Sequence, residues 1–150
     1  TLTEGTPEVT DVVPNAGVRP ETLLALAASV ERLSEHPIGS AIVRRAQRDQ
    51  VTLKAAGDFE ALTGLGAQAR IDGQVALVGS PALFQAQGIA LDTAQPALEH
   101  LQGQGKPVVA VGVDHTFLGL LALWVFAAFY VLCVGVTWWY YARRNAEMPC

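Results

Sequence analysis

His36 has the setting that most invites chemistry. It stands in the run Ser34-Glu35-His36-Pro37, and Glu31 lies five residues before it. A neutral imidazole presents a flat face for stacking, with one donor and one acceptor nitrogen. A carboxylate one helical turn back can accept from an amino group. Gly64 and Gly66, on either side of Leu65, form a second set. Without side chains, such residues let the backbone approach a ligand closely and turn its N–H groups outward, which suits an anion such as a phosphate chain. Plainer readings compete with each of these. Gly64 and Gly66 also fit a bulge between strands, Glu31 a solvated helix position, and a single histidine an exposed structural residue. His100 and His115 have no supporting pattern and read as surface residues. No Gly-x-x-x-x-Gly-Lys-Ser/Thr run occurs, so a P-loop is excluded.

These residues need elements to hold them. Residues 7–13 read as a short strand closed by Pro14-Asn15-Ala16-Gly17. Pro20 opens a helix whose Leu23, Leu26, Ala27, Val30 and Leu33 recur at helical spacing. Pro37 pushes His36 out of the helical region, so His36 falls at a joint. A second helix follows, with Ile38, Ala41, Ile42 and Ala46 inward and Arg44, Arg45 and Arg48 solvated. Beyond Leu53 the period becomes that of strands. Residues 59–62 lead into Gly64, residues 67–71 alternate, and Asp72-Gly73 marks a hairpin back through Val75 and Leu77. Ser80-Pro81 caps a short helix, residues 92–102 form another, and 108–113 read as a buried strand turning at Asp114-His115. The expected fold class is α+β. It is an antiparallel sheet of about six strands flanked by two helical hairpins, with helices on one face rather than doubly wound.

Composition divides the chain. Of 150 residues, 51% are hydrophobic and 16% charged, against about 25% charged in ordinary soluble domains. The excess is local. Residues 116–142 contain no Asp, Glu, Lys or Arg, yet hold all three Trp and all three Tyr. A helix of about 20 such residues spans a bilayer. Trp138-Trp139-Tyr140-Tyr141 would lie at one interface, with Arg143 and Arg144 beyond as anchors. The expected organisation is therefore a domain over 1–121, one C-terminal transmembrane helix over 122–144 and a short tail over 145–150. The domain is mildly acidic and has no electrostatic footprint for nucleic acid. Cys133 and Cys150 form neither a disulfide framework nor a Cys-x-x-Cys site.

Taken in order, Thr1-Leu2-Thr3, Ser34-Glu35-His36-Pro37-Ile38-Gly39, Gly64-Leu65-Gly66 and Val78-Gly79-Ser80 give residues 1–121 a resemblance to a known family. The chain resembles the nucleotide-binding domain of heavy-metal-translocating P-type ATPases. The resemblance implies that His36 and Glu31 contact adenine, and that Gly64, Gly66 and Gly79 lie along the nucleotide. It implies ATP as ligand, with Mg expected in the intact pump, and a phosphorylation domain as partner. That domain's Asp-Lys-Thr-Gly-Thr-Leu-Thr motif would place the phosphorylated aspartate upstream of Thr1. The chain departs from the family at Ser80, where Asn is common, and at Pro107, where Gly-Lys-Thr is common. It is expected to bind ATP at an affinity on the order of 1 mM and not to hydrolyse it.

The uncharged run from Trp124 to Arg144 resembles instead the last transmembrane helix of a nitrate/nitrite porter of the major facilitator superfamily. Arg143 and Arg144 favour a cytoplasmic C-terminus, whereas an ATP-binding domain belongs in the cytoplasm. A single-span membrane protein assembled from two unrelated pieces is one expectation. A membrane-anchored interaction module without enzymatic activity, or a nonfunctional fusion product, remains the alternative.

Overall fold

Two prolines start the first helical pair. The structure, a computed structural model, describes residues 6–125 together with Trp139 and Arg143. Pro20 opens α1 (Pro20–Glu31) and Pro37 opens α2 (Pro37–Arg48). Proline suits this position, since its missing N–H would have had no intrahelical partner. α1 stops at Glu31 because the chain tightens there. Leu33 N–H donates to the Val30 carbonyl at 3.3 Å, and Ser34 N–H to the Glu31 carbonyl at 2.9 Å. Leu33, expected on the helix's apolar line, therefore lies past its end and is exposed.

Six strands form one sheet. They are β1 (Glu8–Pro14), β2 (Gly57–Leu62), β3 (Gly66–Ile71), β4 (Gln74–Gly79), β5 (Val108–Val113) and β6 (Thr116–Trp124). Their order is β1-β6-β5-β4-β3-β2, and each neighbouring pair is antiparallel. The Asp72-Gly73 and Asp114-His115 turns carry positive φ at both residues, as a two-residue hairpin requires. The α+β class and the six-stranded antiparallel sheet agree with the sequence reading.

The helices cover both faces, not one. Val109, Val111, Leu121 and Leu123 pack with Leu23, Ala27, Val30 and Ile42 of α1 and α2. Val108, Ala110, Leu120 and Ala122 pack with Phe84, Leu98 and Leu101. The last three belong to α3 (Pro81–Ala86) and α4 (Gln95–Gly103), which follow β4 and each lean on β5. The physical reason lies in β5 and β6. Their apolar residues run without alternation, so both faces of those strands must leave water.

Two further expectations change. β6 runs on to Trp124, past the boundary placed after Leu121. Ala122 and Leu123 are fully buried and pair with Asp11 and Val9 of β1. These residues complete a sheet rather than begin a membrane helix. The remainder of the expected span, the porter-like helix and the tail over 145–150 fall outside the described residues, apart from Trp139 and Arg143. The guanidinium carbon of Arg143 sits 5.1 Å from the Trp139 ring centroid, a cation–π pair. Among the described residues, no helix is long and apolar enough to cross a membrane.

The second change concerns Arg45 of α2, which is half-buried, whereas Arg44 is exposed as expected. Arg44 donates to the Pro7 carbonyl at 2.9 Å and Arg45 to the Val9 carbonyl at 2.8 Å. β1 is an edge strand, and these two side chains satisfy the carbonyl of Val9 on it and that of Pro7 just before it. Arg48 is exposed, as expected.

Candidate functional site

The joint between α1 and α2 fixes two polar groups. His36 is the N-cap of α2, held in extended backbone by the proline that follows. Its Nδ1 accepts from the Ile38 N–H at 3.2 Å. That bond commits Nδ1 as an acceptor, so the neutral ring carries its proton on Nε2. His36 is exposed.

Glu31 occupies the last turn of α1 and is only 7% exposed. It is not the solvated helix position that a plain reading allowed. Burial pushes its carboxyl above the usual value, against a smaller opposing effect of the hydrogen bond from Ser34. Ser34 Oγ also accepts from the His36 N–H at 3.1 Å. Gly39, in the first turn of α2, is the residue that sequence reasoning missed. A Cβ built on it would overlap Glu31 Oε2. Its place in the Ser-Glu-His-Pro-Ile-Gly run was visible, but its reason is steric and needs the fold.

The glycines have two different reasons. Gly66 of β3 faces Gly79 of β4 directly in register. A Cβ on Gly66 would overlap the Val78 carbonyl, and one on Gly79 would come within 2.5 Å of the Leu65 carbonyl. Both are required by the close approach of backbone to backbone. Gly64 is different. It sits at the β2–β3 turn with φ +75°, and a Cβ there would meet nothing within 4 Å. Its N–H donates to no protein group among the described residues. Ser80, beside Gly79, caps α3 through a 3.3 Å bond from the Leu83 N–H and holds the turn by donating its own N–H to the Leu65 carbonyl at 2.8 Å.

These pieces border one cavity of about 360 Å³, and Glu31, His36, Gly64, Gly66 and Gly79 all line it. Ala61, Leu62 and Val108 add apolar lining, so a few polar groups converge on a largely apolar hollow. Lys106 does not line it. Its Nζ lies 2.8 Å from Asp11, whose carboxyl it holds below the usual range. Pro107, the departure from the family pattern, is part of the wall. Among the described residues no group of three His, Cys, Asp or Glu side chains could hold a metal ion. A wider groove of about 750 Å³ lies by the start of α1 and the β5–β6 turn. Its ionic groups are already engaged: Lys54 with Asp72 at 2.7 Å, and Asp114 with the Val75 N–H at 2.9 Å.

Comparison with known proteins bears on the same region. Residues 1–128 match the haloacid dehalogenase-like hydrolase family. A "Probable cadmium-transporting ATPase" of Staphylococcus aureus (strain MRSA252) is 38% identical over 132 residues, covering 82% of this chain and 18% of the relative. The chain thus spans under a fifth of that relative's length. The crystal structure of the N-domain of a copper-transporting P-type ATPase superposes with a TM-score of 0.65 at 28% identity, covering 79% of this chain and 98% of that domain. The catalytic domain of the CPx-ATPase CopB-B, solved for its conformational changes upon nucleotide binding, gives a TM-score of 0.57 at 27% identity, with coverage of 83% and 40%. The chain belongs to the haloacid dehalogenase-like hydrolase family, and within it Pro7–Trp124 has the N-domain fold of heavy-metal P-type ATPases.

Proposed function

We propose that the cavity binds ATP, and that the chain acts as the nucleotide-binding part of a heavy-metal cation pump. The adenine ring lies against the His36 imidazole, and its 6-amino group donates to Glu31. The triphosphate follows the Gly64-Leu65-Gly66 turn toward Gly79, where the unengaged Gly64 N–H is one donor for it. In a pump the domain would present the γ-phosphate to a phosphorylation domain. Its contribution to the reaction is then positioning of the bound nucleotide.

The observation that carries this reading is convergence. Three separate stretches of chain bring His36, Glu31 and three glycines to one hollow. The similarity to a catalytic domain studied upon nucleotide binding supports it. The test is calorimetric titration of the full chain with ATP and AMP. We expect both to bind at an affinity on the order of 1 mM, because the base is the main anchor. His36→Ala should weaken both by about tenfold, the loss of one stacked and hydrogen-bonded ring. Absence of binding, or equal affinity in His36→Ala, would refute the reading.

A further inference from the structure

We propose that Gly39 and Ser34 are positioning residues for Glu31: the bare Cα of Gly39 leaves the slot in which the carboxylate lies, and the Ser34 hydroxyl sets its direction into the cavity. The consequence for ligand choice rests on the nucleotide reading; the positioning itself does not.

The steric argument is direct. Glycine inside a helix costs about 1 kcal/mol relative to alanine, so its presence in the first turn of α2 calls for a reason. Gly39 is buried, and its absent Cβ would overlap Glu31 Oε2 and stand 3.2 Å from Ser34 Cβ. Alanine fits only if the carboxylate leaves. Ser34 supplies the second restraint. A hydroxyl donates once and accepts readily. Here it accepts from the His36 N–H, and Ser34 Cβ and Glu31 Oε2 both border the empty Cβ position of Gly39, so the serine stands beside carboxylate and imidazole alike. A carboxylate held in this way rewards an amino group on a purine ring and repels a carbonyl oxygen at the same place. That is the discrimination between a 6-amino and a 6-oxo purine.

The test follows the Glu31 carboxyl carbon by NMR against pH in the full chain, without nucleotide. Gly39→Ala should lower the titration midpoint, because the displaced carboxylate regains water. Ser34→Ala should raise it, because a hydrogen bond to the charged form is lost, and Ser34→Thr should restore it. Ser34→Ala and Ser34→Thr decide the matter should Gly39→Ala fail to fold. Midpoints that do not move in these variants overturn the proposal. A second arm compares ATP with inosine triphosphate. The preference for ATP should fall by at least about tenfold in Gly39→Ala or Ser34→Ala, with inosine triphosphate binding kept. Equal loss of both nucleotides would overturn the selectivity. A parent chain that binds neither refutes the nucleotide reading, while the midpoints still judge the positioning.

Discussion

The helical and strand sides of the cavity are built from different materials. Between α1 and α2, polar side chains hold the backbone: Ser34 accepts from the His36 N–H beside the buried Glu31, and the His36 ring caps its own helix. Between β2, β3 and β4, the wall is made by what is missing. Gly66 and Gly79 are bare because two strand backbones press together there, and Gly64 is bare because its φ is positive. The first side uses its residues to fix polar groups at the cavity, and most of the second to pack strand against strand. A glycine pattern near a binding site is therefore weaker evidence of ligand contact than a buried carboxylate beside a fixed imidazole.

The largest effect that could break this contrast lies in the strand wall. Gly66→Val should destabilise the domain by about 3 kcal/mol, the upper range of overpacking, since backbone and not a flexible side chain blocks the new atoms. Gly64→Ala should cost about 1 kcal/mol, the penalty for a Cβ at positive φ in open space. Urea unfolding measures both. Equal costs would mean that Gly66 is not held by packing.

A smaller effect sharpens the helical wall. The Glu31 carboxyl is raised above its ordinary value of 4.5, so the folded state binds its proton more tightly than the unfolded state does. The stability this provides is complete below the unfolded value and is lost as pH rises through the folded one. Glu31→Gln should remove that decline, leaving the variant relatively more stable near neutrality. Asp11 runs the other way. Lys106 lowers its carboxyl below 3.8, so its contribution is present above that value and lost as pH falls through the folded one. Unfolding free energies of Glu31→Gln and Asp11→Asn across pH should diverge from the parent at opposite ends. Parallel curves would contradict the burial of Glu31 as a source of strain.

Much of this was legible in the sequence. Pro37 announces the joint that makes His36 a cap, and Asp72-Gly73 announces the β3–β4 hairpin. The five residues singled out from the sequence, as motifs in a fixed order, are all among those that line the cavity. What was not legible arises from tertiary approach. Gly39 looks like an ordinary helix-weakening residue until the end of α1 is brought against it. Arg45 looks solvated until β1 becomes an edge strand beside α2. The second helical layer was hinted at by the unbroken apolar run of β5, but hairpin connections alone pointed to a one-faced sheet. The end of the domain was misplaced because Ala122 and Leu123 suit a buried strand as well as a lipid-facing helix.

Mapping backbone amides during an ATP titration of the full chain tests the central claim most directly. The account predicts shifts concentrated at His36, Gly39, Gly64 and Gly66, around the smaller cavity. Shifts confined to Lys54, Gln74 and Asp114, around the wider groove, or no shift at His36 and Gly64 at saturating ATP, would contradict it.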